Sequence, residues 1–195
     1  MAIAKLMNVR IVFPRMWTPF DDGGKYTCAF LIEKDSQAYA AFMSAVKEAW
    51  TAGRQKFGAQ SFCENPTLAQ VYNRAYVKVD GGLDSRGNPV PEYYAGCIGF
   101  NGNSTKPIPV IDVTGAPVGE GDQRVYDGQR AHVSLDILAT CRDNNPCIGR
   151  YIRSVMILSG GERIDTGRGG FVSAQDEWAS EIQPGADAFG DIAPF

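Results

Sequence analysis

Four side chains between Val71 and Val79 offer the most specific chemistry in the sequence: Tyr72, Arg74, Tyr76 and Lys78 recur at every second position. On a strand these four share one face, and Val71, Asn73, Ala75, Val77 and Val79 share the other. Rings can hold bases and cations can hold phosphates, so such a face reads in two ways. It is either a stacking platform for a single nucleic-acid strand or an amphipathic surface that tolerates Tyr and Lys. Tyr94 and Phe100 extend the set of stacking candidates, and Trp17, between Pro14 and Pro19, is a further one. Lys106, Arg142 and Arg150 join Arg74 and Lys78 as phosphate candidates. A stacked base contributes about 1–3 kcal/mol, so two or three such rings would decide affinity.

Catalytic constellations are sparse by comparison. The sequence has no phosphate-cradling Gly-rich loop ending in Lys-Ser/Thr, no dinucleotide fingerprint and no His-Glu-x-x-His. A single histidine, His132, removes most Ser-His and Cys-His nucleophile schemes. A two-metal site of Asp and Glu would need clustered carboxylates in a strand core, and no such motif stands out. The five cysteines are odd in number and scattered, which suits a reducing compartment. Cys141 and Cys147 are spaced more widely than a zinc knuckle. The reading is a binding protein without catalytic residues, metal or cofactor.

Charge and hydropathy bound the rest. Of 22 acids, five (Asp176, Glu177, Glu181, Asp187, Asp191) lie after residue 175, where there is no Lys or Arg. The remaining 17 acids face 19 bases, so residues 1–175 carry about +2 within a chain of net charge -3. No apolar run reaches membrane-spanning length and no signal-type cleavage site follows the start. A soluble protein that stays where it is made is expected, with no membrane partner.

The elements that must position the candidates follow from periodicity. Residues 8–13 and Tyr26 to Glu33 read as neighbouring strands joined by the Asp21-Asp22-Gly23-Gly24 turn. Tyr39, Phe42, Met43, Val46 and Trp50 recur at helical spacing after Asp35 or Ser36, predicting an amphipathic helix from about Ser36 to Ala52 that buries this stripe. Residues 58–70 carry no clear period. Strands follow at 71–79 and at Tyr93 to Asn101, with Gly96 and Gly99 marking a bulge or bend. Lys106 to Asp112, with its two prolines, is an extended edge. Arg130 to Thr140 and Gly149 to Ser159 are strands about an Arg142–Pro146 turn, and Ser173 to Trp178 has capping-box spacing for one helical turn. Six or so strands and one substantial helix predict a mainly β protein, an antiparallel barrel or sandwich with an inserted helix.

The last eleven residues, Gly185 to Phe195, contain no basic residue and end with Ile192, Pro194 and Phe195 at the terminal carboxylate. Such an end is either a frayed terminus or a segment captured in an apolar pocket with a basic rim. Asp191-Ile192-Ala193-Pro194-Phe195 resembles the acidic, Phe-terminated tip of bacterial and phage single-stranded-DNA-binding proteins, with an extra Ala193. Within the body, Tyr93-Tyr94-Ala95-Gly96-Cys97-Ile98, Lys106-Pro107, Val110-Ile111-Asp112 and Asp127-Gly128 resemble a family of phage single-stranded-DNA-binding proteins. Val9-Arg10-Ile11 and Phe30 to Asp35 are similar to that family too. The Gly115-to-Gly128 connection and the Cys141–Cys147 turn depart from it. The resemblance implies an OB-type barrel of five to six strands over residues 1–172. A flexible acidic tail over 173–195 would follow it. It further implies a protein that coats single-stranded DNA during phage replication or recombination in the cytoplasm of the infected bacterial host; a homodimer is one option for its assembly. Asp187, Asp191, Ile192, Pro194 and Phe195 would then recruit a polymerase, primase, helicase or nuclease. A virion-associated β-domain, or an annealing or nuclease factor, remains the alternative.

Overall fold

The structure, a computed structural model, describes residues 2–19, 24–84 and 87–166. Seven strands and two helices follow one another: β1 (Ala2–Arg15), β2 (Tyr26–Glu33), α1 (Gln37–Phe57), α2 (Leu68–Arg74), β3 (Lys78–Val79), β4 (Cys97–Ser104), β5 (Val110–Asp112), β6 (Arg130–Arg142) and β7 (Asn145–Ile157). They form one sheet in the order β3-β4-β2-β1-β6-β7-β5, and a parallel contact between Asn103 of β4 and Tyr151 of β7 brings the sheet back upon itself. The fold is mainly β, and the unit that carries the sheet ends at Ile164. The expected helical turn at 173–178 and the acidic tail lie outside the described residues.

β2 follows from its sequence because residues 28–32 are a continuous apolar run, the pattern of a strand covered on both sides. Cys28, Phe30 and Ile32 face the main core, where Phe42 and Val46 of α1 meet them. Ala29 and Leu31 face a second cluster with Val12, Tyr94 and Cys97. α1 begins where the sequence places it: Ser36 is the N-cap, and its hydroxyl accepts the Tyr39 N–H at 3.1 Å. The helix runs one and a half turns beyond the expected Ala52, to a cap at Gly58. Phe62, from the stretch without a period, is buried edge-on against Trp50.

β6 and β7 pair antiparallel from Ala131 opposite Ile157 to Arg142 opposite Asn145. Asp143 and Asn144 make the hairpin turn with φ of 50° and 59°, the two left-handed residues that a tight two-residue turn needs. Thr140 stands opposite Cys147 and Cys141 opposite Pro146, so the two cysteines point to opposite faces and cannot bridge. β5 is an edge strand, as its flanking prolines predict. His132 has a structural partner: its Nδ1 accepts the backbone N–H of Asn8 at 3.0 Å, within an irregular step of β1.

Four expectations fail. The sheet is not wholly antiparallel, since β5 runs parallel to β7 from Val110 opposite Val155 to Asp112 opposite Ile157. Glu92–Tyr94 form a tight helical turn, so β4 begins only at Cys97 and runs to Ser104. Val71 to Val79 is not a strand: Leu68–Arg74 is helical and only Lys78 and Val79 join the sheet. Thr67 caps the helix, its hydroxyl accepting the Gln70 N–H while the Gln70 side chain accepts the Thr67 N–H, a reciprocal pair that nucleates a turn before the supposed strand begins. Gly99, in turn, makes no bulge between β2 and β4, where it stands in unbroken register opposite Leu31. Its missing Cβ leaves space that the Tyr94 ring fills, since any Cβ there would collide with that ring.

Candidate nucleic-acid interface

α2 lies against the β6–β7 hairpin and carries the aromatic and basic residues predicted from the sequence, arranged by a helix and a turn. Val71 and Ala75, one turn apart, are buried and hold the helix down. Tyr72 leans toward α1, and its hydroxyl shares a 2.6 Å hydrogen bond with that of Tyr39. Burial, then this hydrogen bond, pushes the Tyr72 phenol up to about 12. The Tyr72 hydroxyl is thus already engaged within the protein.

Arg74 closes the helix. Its Nη1 donates to Asn145 Oδ1 at 2.9 Å and to the Pro146 carbonyl at 3.5 Å, tying α2 to the start of β7. Arg142, exposed, pairs across the hairpin with that same Asn145. After the cap at Ala75 the chain turns sharply through Tyr76, whose φ of 50° is left-handed. A bulky residue held there is conformationally costly, a condition concentrated at functional sites. The turn leaves the Tyr76 side chain 59% exposed. The Arg150 guanidinium lies 5.8 Å from its ring centroid. Arg150 itself is buried on the inward-facing side of β7, and burial lowers its pKa from the ordinary value.

Tyr72, Arg74, Tyr76, Arg142 and Arg150 are thus brought to one region, and Lys78 follows two residues after Tyr76. Lys78 is exposed, with Nζ 5.9 Å from the Tyr94 ring centroid. Tyr94 and Phe100 do not offer faces to a ligand. Tyr94 is 3% exposed, packed beside Tyr93 and over Gly99. Burial pushes its phenol up to about 12. Phe100 is 2% exposed and stacked at 4.4 Å on Phe42. Trp17 and Lys106 lie where the end of β1 meets the chain before β5. Trp17 is half-buried on the main core just after β1, and the neighbouring Met16 carbonyl accepts the Ile108 N–H at 2.9 Å. Lys106 is exposed on the link between β4 and β5.

One exposed ring escapes the sequence reading. Tyr151 of β7 lies over Gly149, where a Cβ would come within 2.7 Å of the ring. A glycine two positions before an aromatic on one strand face is the signal that could have found it. Among the described residues no three His, Cys, Asp or Glu gather as a metal site. No helix among them is long and apolar enough to cross a membrane.

The structure thus joins a curled sheet, a helix packed against its β6–β7 hairpin, and an exposed Tyr76 ring with a guanidinium 5.8 Å away. The chain belongs to the family of the Enterobacter phage Enc34 ssDNA-binding protein, whose model matches residues 2–188. This is a family of binding proteins, not enzymes. The fold is that of the bacteriophage Enc34 single-stranded-DNA-binding protein solved in complex with ssDNA: TM-score 0.65 and 18% identity over 84% of this chain and 90% of that one. The Enc34 protein in another solved form gives 0.64 and 17%, covering 91% and 90%. The bacteriophage T7 protein gp2.5, a single-stranded-DNA-binding protein, is similar at TM-score 0.52 and 14% identity over 96% of this chain and 98% of that one. No curated protein sequence matches the chain.

Proposed function

We propose that this protein binds single-stranded DNA without sequence preference during phage DNA replication or recombination. It would bind through the region where α2 meets the β6–β7 hairpin. The observation that carries the reading is Tyr76: an exposed ring held in a costly backbone conformation, with the Arg150 guanidinium 5.8 Å from its centroid and Arg74 and Lys78 two residues to either side in the chain. Every base has a π-face, so a ring flanked by cations accepts any sequence. Family membership supports the same reading, as does the ssDNA bound to the Enc34 protein in its solved complex. The contact between Asn103 and Tyr151 supports an OB-type barrel, closed around β4, β2, β1, β6 and β7.

Affinity for oligo-dT should fall steeply with salt, because each phosphate neutralised on a single strand releases about 0.7 of a counterion. A titration at rising salt measures this, and an affinity that stays constant would sink the reading. Run as a gel shift with and without magnesium, the same mixture also separates coating from cleavage: the oligonucleotide should stay intact in both lanes.

The acidic end, with Asp187, Asp191, Ile192, Pro194 and Phe195, is proposed to recruit replication or recombination proteins and to compete with DNA for binding. Charge asymmetry supports this, with five acids and no bases after residue 175. Deleting residues 176–195 should tighten oligo-dT binding at low salt and abolish capture of the partner. Unchanged affinity and unchanged capture would leave the tail without either role.

A further inference from the structure

Among the described residues Arg150 has no anion to hold. It stands on β7 between Ile148 and Ile152, both buried and pointing the same way, and is itself only 9% exposed. Its Nε and Nη1 are buried with no hydrogen-bond partner, and no carboxylate among the described residues pairs with it. The two other arginines with a buried orphan nitrogen are engaged elsewhere. Nη2 of Arg10 donates to Cys97 Sγ at 3.1 Å and to the Tyr93 carbonyl at 3.4 Å, and Arg54 pairs with Glu64 at 3.5 Å. Removing a cation from water without supplying acceptors opposes folding. Its aromatic neighbour is the Tyr76 ring, at 5.8 Å, which favours the cation without accepting a hydrogen bond in its plane.

We propose that Arg150 and Tyr76 form a one-nucleotide subsite, in which the buried guanidinium takes a DNA phosphate out of water while Tyr76 stacks a base. The inference rests on the single-stranded-DNA reading and assigns it a desolvated centre, distinct from the exposed cations Lys78 and Arg142. A guanidinium only donates, so its missing partner must be an acceptor, and a phosphate also restores charge balance. Arginine suits the position because it is more weakly hydrated than lysine and forks onto phosphate oxygens. The left-handed turn at Tyr76 sets the ring beside that cation, so stacking and phosphate capture act on one stretch of strand.

The test uses the full chain and oligo-dT, with Arg150→Met and Arg150→Lys. Arg150→Met removes an unpaired buried charge and keeps the volume, so Tm should rise, by about 2–4 °C for each kcal/mol relieved. Its affinity should drop about tenfold to a hundredfold, the range for a hydrogen bond to a charged group. The slope of log affinity against log salt should become shallower by about 0.7, one phosphate's worth. Arg150→Lys should fail to restore affinity. On the wild-type protein, neutral methylphosphonate linkages are walked along the shortest oligo-dT that keeps full affinity. One linkage should stand out, and comparing oligo-dT with and without a 5′-phosphate separates an internal from a terminal phosphate. A flat walk, unchanged affinity and slope in Arg150→Met, or a lower Tm in that variant would overturn the subsite and leave single-strand binding intact. Failure of the wild-type protein to bind oligo-dT would overturn both.

Discussion

Replacing Phe100 with alanine is expected to cost about 3–5 kcal/mol of folding stability, the range for emptying an aromatic site in a core. The ring has no free face. Phe42 of α1 lies nearly parallel to it, with centroids 4.4 Å apart and planes 11° apart, and Phe30 of β2 lies tilted at 5.5 Å. These rings join α1 to the centre of the sheet, so a cavity here loosens the contact that orders the helix. β4 is flanked by β2 along its whole length, which leaves little freedom for the site to collapse. Thermal unfolding measures the loss: at this chain length each kcal/mol lowers Tm by about 2–4 °C. The protein that remains folded should bind oligo-dT as before. A variant with normal Tm and weakened binding would reverse the assignment and return Phe100 to the interface.

Phe100 and Tyr94 are buried while Tyr76 is exposed, and the reason the sequence does not separate them lies in what a residue pattern can resolve. Strand and helix periods coincide at a separation of four, so Val71, Ala75 and Val79 share a face in either reading. The discriminating residue is Asn73, polar on the supposed apolar face and exposed on α2 in the structure. Thr67 and Gln70 held the other clue, in a segment without hydrophobic period. Tyr94 and Phe100 lie around β4, which is apolar on both sides. A ring in such a strand gives no sign of which side it faces or whether that side is covered. Here both sides are covered: Phe100 faces α1, and Tyr94, just before β4, covers Gly99.

Elements with unambiguous local signals were legible: β2 from its unbroken apolar run, α1 from its stripe and the Ser36 cap, the β6–β7 hairpin from Asp143-Asn144. Arg74, Lys78, Arg142 and Arg150 stand out in the sequence as cations, together with Lys106. Their arrangement does not, because it depends on α2 packing on a hairpin about seventy residues away, through Arg74 and Asn145. The burial of Arg150 belongs to the same class of fact. Alternation along β7 puts it in phase with Ile148 and Ile152, and a charged residue in an apolar phase is the trace it leaves in the sequence.

Tyr76→Ala is the complementary experiment, with the loss expected in binding instead of folding. Its side chain is 59% exposed, so truncation should cost no more than about 1 kcal/mol of stability, the range of a cation–ring contact with Arg150 at an exposed site. Alanine inherits the same left-handed backbone demand, which the tyrosine already meets, so no new strain enters at that position. If a base stacks on the ring, affinity for oligo-dT should fall by about 1–3 kcal/mol. Tyr76→Phe should bind almost as well as the wild type, because stacking needs the ring and not the hydroxyl. Salt dependence separates this loss from that of a cation. A ring neutralises no phosphate, so the curve of log affinity against log salt should move down in parallel. Removing Lys78 or Arg142 should instead make it shallower. An unchanged affinity in Tyr76→Ala would remove the ring from the interface. A shallower curve would mean that the substitution had disturbed Arg150, the cation 5.8 Å from the Tyr76 ring, and that ring and guanidinium act as one unit.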